Sequence, residues 1–118
     1  MAEGYEPQPV SGVEVFDISS LRKTEYLNAI GDITRYGRVV NWNAVVITVT
    51  TEIPRYFNIL AQNLPERFRP KTNGVTVLLK KHNNPAVTQI VYVNAQGGIE
   101  TQEIIPTGDY FASGCWIA

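Results

Sequence analysis

Val39-Val40-Asn41-Trp42-Asn43-Ala44-Val45-Val46-Ile47-Thr48-Val49-Thr50-Thr51 is the stretch that decides the fold. Its density of Val, Ile and Thr suits an extended, pleated backbone better than a helix. Side chains alternate along a strand, so Val40, Trp42, Ala44 and Val46 are expected on one face. Val39, Asn41, Asn43, Val45 and Ile47 are expected on the other. This second face changes along its length, from polar at Asn41 and Asn43 to apolar at Val45 and Ile47. A strand apolar on both faces near one end fits either a two-layer core or a subunit interface.

Working outward, Ile33 to Tyr36 and Gly37 lead into this strand as a hairpin, and Val13, Val15 and Ile18 begin a first strand. Ser20 to Ile30 is the one place for a short helix, but helix is the minority reading, since Leu21, Tyr26, Leu27 and Ile30 also suit an irregular segment covering one end of a sandwich. Downstream, Phe57 to Gln62 reads as a short strand. Leu64 to Pro70 follows as a stiff connection, because Pro65 and Pro70 fix their own φ and extend the residues before them. Val75 to Lys81 is a strand closed by His82-Asn83-Asn84-Pro85. Val87 to Val93 and Ile99 to Ile105 form a hairpin through Asn94 to Gly98, whose glycines tolerate positive φ. Pro106 to Asp109 turns the chain into a last strand, Tyr110 to Ala118. Roughly six to eight short strands at about ten-residue spacing predict an all-β fold, an antiparallel β-sandwich or jelly roll. Residues 1–12 read as an arm or linker and residues 13–118 as one domain.

Composition narrows the function. The chain has 118 residues, 44% hydrophobic but only 18% charged, with six Tyr, four Phe and two Trp. Charge below the usual quarter, with that many aromatics, predicts apolar surface covered by a partner. A net charge of -1 offers no basic field for nucleic acid or anionic membrane. No run approaches the roughly 20 apolar residues of a membrane span, and Met1 to Val10 does not read as a signal peptide. Cys115, the sole cysteine, cannot form an intrachain disulfide, and its strand-like setting predicts a buried thiol.

Catalytic chemistry is poorly provided for. A nucleophilic triad or dyad would need His82, the single histidine. Glu100 and Glu103 are three apart, which on a continuous strand puts them on opposite faces as a poor acid/base pair. One cysteine and one distant histidine do not make a zinc site, and Gly97-Gly98 lacks the lysine and helix of a phosphate loop. The expectation is therefore no enzyme, no metal and no cofactor.

Binding chemistry is the positive option. Aromatic faces stack on sugar C–H patches while amides and carboxylates take the hydroxyls, an apolar wall with placed polar groups. Trp42 between Asn41 and Asn43 has that composition, against the preferred plainer reading of a core tryptophan. His82, Asn83 and Asn84 at one strand end, with Asp109 and Tyr110 at another, would make a shallow pocket if both turns share one end of the domain. The plainer reading, ordinary turn residues, is preferred for each. Arg67, Phe68 and Arg69 could stack on a ligand, but are read as packing against a neighbouring element or subunit, with Phe68 a plausible interface knob; Trp116 belongs to the core or an interface.

Four pieces carry a family resemblance: Arg35-Tyr36-Gly37-Arg38-Val39-Val40; Leu64-Pro65 with Phe68-Arg69-Pro70; Val91-Tyr92-Val93-Asn94 with Gly98-Ile99; and the closing aromatic strand Tyr110 to Trp116-Ile117. In this order, across Ile33 to Ala118, the chain resembles the head domain of a bacteriophage tail-fibre or baseplate receptor-binding protein from a phage of Gram-positive bacteria. The resemblance implies a β-sandwich head, a homotrimer at a fibre end, and a virion location in the tail or baseplate. It implies a larger N-terminal anchoring part, and recognition of host cell-wall polysaccharide. The family's binding residues vary too much to carry over by motif. A second expectation is a structural connector that docks another tail or baseplate protein. A third, weaker one is a glycan-degrading domain.

Overall fold

The computed structural model describes residues 13–84 and 86–118, with Asn43 described by its backbone alone. The stretch read as an arm, 1–12, and Pro85 of the His82-Asn83-Asn84-Pro85 turn lie outside the described residues. The strands are β1 (Val13–Asp17), β2 (Leu27–Tyr36), β3 (Val39–Val49), β4 (Val75–Lys81), β5 (Thr88–Val93), β6 (Ile99–Thr101), β7 (Gly108–Ser113) and β8 (Cys115–Ile117). Two single 3₁₀ turns, Ile18–Ser20 and Glu66–Phe68, are the helical elements among the described residues. The domain is all-β, as expected.

All eight strands join one antiparallel sheet in the order β1-β2-β3-β7-β4-β5-β6, and β8 also pairs with β3. β7 and β8 are halves of one chain path broken at Gly114. β3 therefore meets β7 through Val45 to Val49 and β8 through Val39 to Asn41.

The long strand carries the main departure from simple alternation. Pairing with β2 runs Asp32 to Asn43 and then Ile30 to Val46, so β3 holds one residue more than its partner between these pairs. This is a β-bulge, and it reverses which parity faces inward. Val40 and Trp42 are buried before it; Val45, Ile47 and Val49 are buried after it, while Ala44 is exposed. Strict alternation wrongly assigned Ala44 and Val46 to the face of Val40 and Trp42. Ala44 takes a left-handed φ of 48° at the bulge, and Gly31 opposite has φ 118°. A Cβ on Gly31 would lie 2.6 Å from the Ala44 carbonyl oxygen, so the close approach requires glycine.

A second layer closes over one face of the sheet, giving a sandwich-like arrangement in which irregular chain stands opposite the ladder. The residues between β3 and β4 form most of it, with those between β1 and β2. Ile59 N donates to Ile99 O at 2.9 Å, and Thr101 N donates to Phe57 O at 2.9 Å. Lys23 N donates to Ile59 O at 3.1 Å, and Ala61 N donates to Leu21 O. The segment expected as a strand at Phe57 to Gln62 thus makes isolated bridges, Asn58 with Glu100 and Leu60 with Arg22. It covers the β6 edge, a position that otherwise exposes unpaired backbone groups. Ser20 to Ile30 forms no α-helix: Leu21 enters the core irregularly and β2 begins at Leu27.

Leu64 to Pro70 crosses the covered face toward β1 and β8. Leu64, Phe68 and Pro70 are buried, and the Phe68 ring lies 5.7 Å from that of Phe16. Trp116 Nε1 donates to the Phe68 carbonyl at 3.0 Å, and Arg69 Nε donates to the Leu64 carbonyl at 2.7 Å. Trp42 and Trp116 meet edge to face at 6.1 Å within the same core.

Candidate functional site

The opposite face of the sheet is uncovered by the described residues, and it carries large apolar side chains. Register places Val13 beside Tyr36, Tyr36 beside Val39, and Val39 beside Ile117, a continuous exposed row across β1, β2, β3 and β8. On the other half, Phe111 of β7, Leu78 of β4, and Ile90 and Tyr92 of β5 are also exposed. Each is the outward partner of a buried neighbour, which is the consequence of β-alternation in strands apolar on both faces.

A groove of about 180 Å³ opens on this face where β5 borders the chain leaving β6. Thr88, Gln89, Ile90, Tyr92, Gln102 and Glu103 line it. Ile90 and Tyr92, 43% and 39% exposed, supply apolar and aromatic surface; Gln102 and Glu103 supply an amide and a carboxylate. Glu100 stands opposite Tyr92 in the β5–β6 register. The expectation that Glu100 and Glu103 face apart assumed a strand as far as Ile105. β6 ends at Thr101, so alternation no longer governs Glu103, which turns into the groove. Sequence reading missed this site for that reason. The available signal was Val87 to Val93 itself, with Ile90 and Tyr92 on one face and Val91 and Val93 on the other.

The residues expected to bind ligand fall into two groups. β4 pairs with β7 through Lys81 and Tyr110, so the two turns do share one end of the domain. His82 N donates to Asp109 O at 2.8 Å. His82, Asn83, Asn84 and Asp109 are exposed there, and the His82 ring meets Phe111 edge-on at 5.2 Å. Tyr110 does not join them. It is fully buried, its hydroxyl donates to Pro106 O at 2.8 Å, and burial pushes its pKa up. Trp42 is also a core residue, 6% exposed, on the covered face.

The expected interface residues separate similarly. Phe68 and Trp116 are buried inside the chain's own core, because Leu64 to Pro70 packs inward instead of projecting. Arg67 is exposed but forks onto Glu14, its Nε donating to Oε1 at 2.8 Å, and this pairing holds the Glu14 carboxyl below its usual range. Arg69 is half-buried on the Leu64 carbonyl. Cys115, expected buried, is exposed, since Trp116 takes the inward position beside it. Among the described residues no three His, Cys, Asp or Glu side chains group as metal ligands, and no helix is long and apolar enough to cross a membrane. Compared with models of protein families and with curated proteins, the chain matches none of them.

Proposed function

We propose that this domain is a host-adhesion head of a phage tail, recognising cell-surface saccharide of a Gram-positive host. The observation that carries this reading is the groove on the uncovered sheet face, where Tyr92 and Ile90 form an apolar wall beside Gln102 and Glu103. That pairing of an aromatic surface with a few polar groups suits a sugar ring. The motif resemblance supports the phage setting, the virion location and a homotrimer. In this reading subunits meet through the exposed Val13–Tyr36–Val39–Ile117 row, leaving the β5–β6 half for ligand. The domain binds without catalysing and uses no cofactor.

A second reading, a connector that docks another baseplate or tail protein, draws on the same apolar row, which suits a protein surface as well as a second copy. Fluorescently labelled protein, applied to a panel of intact Gram-positive cells, separates the two. An adhesion head labels susceptible cells and loses them after periodate oxidation of surface glycan. A connector labels none.

A further inference from the structure

The charges around the groove restrict what it can hold. Glu103 is part of the lining. Glu100 flanks Tyr92 from the adjoining strand, where directly opposed side chains have Cβ atoms about 5 Å apart. The cation nearest in register is Lys80, opposite Thr88 across the β4–β5 pair, at the end of the groove away from Tyr92. A ligand ring lying on Tyr92 therefore meets carboxylates on the β6 side. An anionic ligand would be repelled there, by an interaction stronger near a protein surface than in bulk water. A hydroxyl or an ammonium is attracted, since a carboxylate only accepts hydrogen bonds, while the Gln102 amide both donates and accepts. An ammonium over the Tyr92 ring gains a cation–π contact as well. Size agrees with one ring: about 180 Å³ falls short of the 300 Å³ or more of drug-sized sites.

We infer that the groove formed by Thr88, Ile90, Tyr92, Gln102 and Glu103 is a single-residue subsite for a neutral or amino-substituted pyranoside, and that it discriminates against uronates and phosphorylated glycans. This rests on the saccharide-binding reading and names its ligand class.

The test is an array of neutral, amino-substituted, uronic-acid and phosphate-bearing oligosaccharides probed with the full chain and with Tyr92→Ala, Glu103→Gln and His82→Ala. The expected result is binding to neutral or amino glycans at least fivefold above anionic ones. Tyr92→Ala should lose about tenfold in signal, His82→Ala should match wild type, and Glu103→Gln should narrow the preference against anionic glycans. Circular dichroism of each variant guards against misfolding, and all three positions are solvent-facing. Equal or better binding of anionic glycans overturns the ligand class. Glycan binding that survives Tyr92→Ala and falls with His82→Ala moves the site to the other turn cluster and overturns the inference, leaving the adhesion reading intact. Binding to no glycan overturns both.

Discussion

At the scale of single residues, the bulge in β3 makes the sharpest claims. Ala44 holds φ 48°, a region that costs an L-residue about 1–2 kcal/mol and glycine nothing. Ala44→Gly should therefore stabilise the domain by about 0.5 kcal/mol, where glycine in an ordinary strand position destabilises, and urea unfolding checks the sign. Gly31→Ala should cost about 3 kcal/mol in the same assay, because the added Cβ meets Ala44 O at 2.6 Å in a strained backbone region. Tyr110 sets a pH limit. Its folded pKa is raised above the ordinary 10.0 by burial, so its contribution to stability is complete below that pH. It is lost as pH rises through the alkaline range, where the unfolded chain gives up the proton first. Tyr110→Phe should remove this slope at a cost of about 1 kcal/mol at neutral pH, from the lost bond to Pro106 O, measured by denaturation at several pH values. Alternation placed Val40 and Trp42 together on one face of β3, and both are buried. It failed at Ala44 and at Glu103, where a bulge and a strand end interrupt the two-residue period.

At the scale of elements, the covering layer depends on a few polar anchors instead of a ladder. Thr101, fully buried, is the main one: its hydroxyl donates to Pro54 O at 2.6 Å and accepts from Phe57 N at 3.0 Å. Thr101→Val keeps the shape but strands both backbone groups, so it should destabilise by about 2 kcal/mol. Hydrogen exchange should localise the effect, with faster exchange at Phe57 and Ile59 and little change in β4. The strands of the sheet were legible because Val, Ile and Thr runs are bounded by Gly, Pro and Asn turns. Val75–Lys81 was read with its observed limits. The layer between β3 and β4 was not, since isolated bridges leave no periodic trace. Phe57 to Gln62 is apolar enough to read as a strand, yet pairs at single residues. Leu64 to Pro70 was recognisable as a rigid crossing from its prolines. That Phe68 and Trp116 pack inward on each other's element follows only from the tertiary arrangement.

At the scale of the whole molecule, one sheet face builds the core and the other stays exposed among the described residues. Low charge and many aromatics predicted apolar surface covered by a partner, and the exposed row Val13–Tyr36–Val39–Ile117 is where we propose that partner sits. The trimer proposed here should scatter light as three chains of 13.2 kDa, and Val39→Lys should return it to one, because a lysine on a buried apolar row carries an unpaired charge into the interface. For the ligand surface proposed here, the sequence pointed to an aromatic beside amides and carboxylates, but at other positions. Exposed turn residues such as His82 and Asp109 are conspicuous in a sequence; a tyrosine such as Tyr92 amid buried valines is not. The most direct measurement is the binding of labelled Tyr92→Ala, beside wild type, to a Gram-positive cell that wild type labels. Tyr92→Ala should lose about tenfold in labelling with assembly unchanged; equal labelling by the two proteins would rule out saccharide binding at Tyr92.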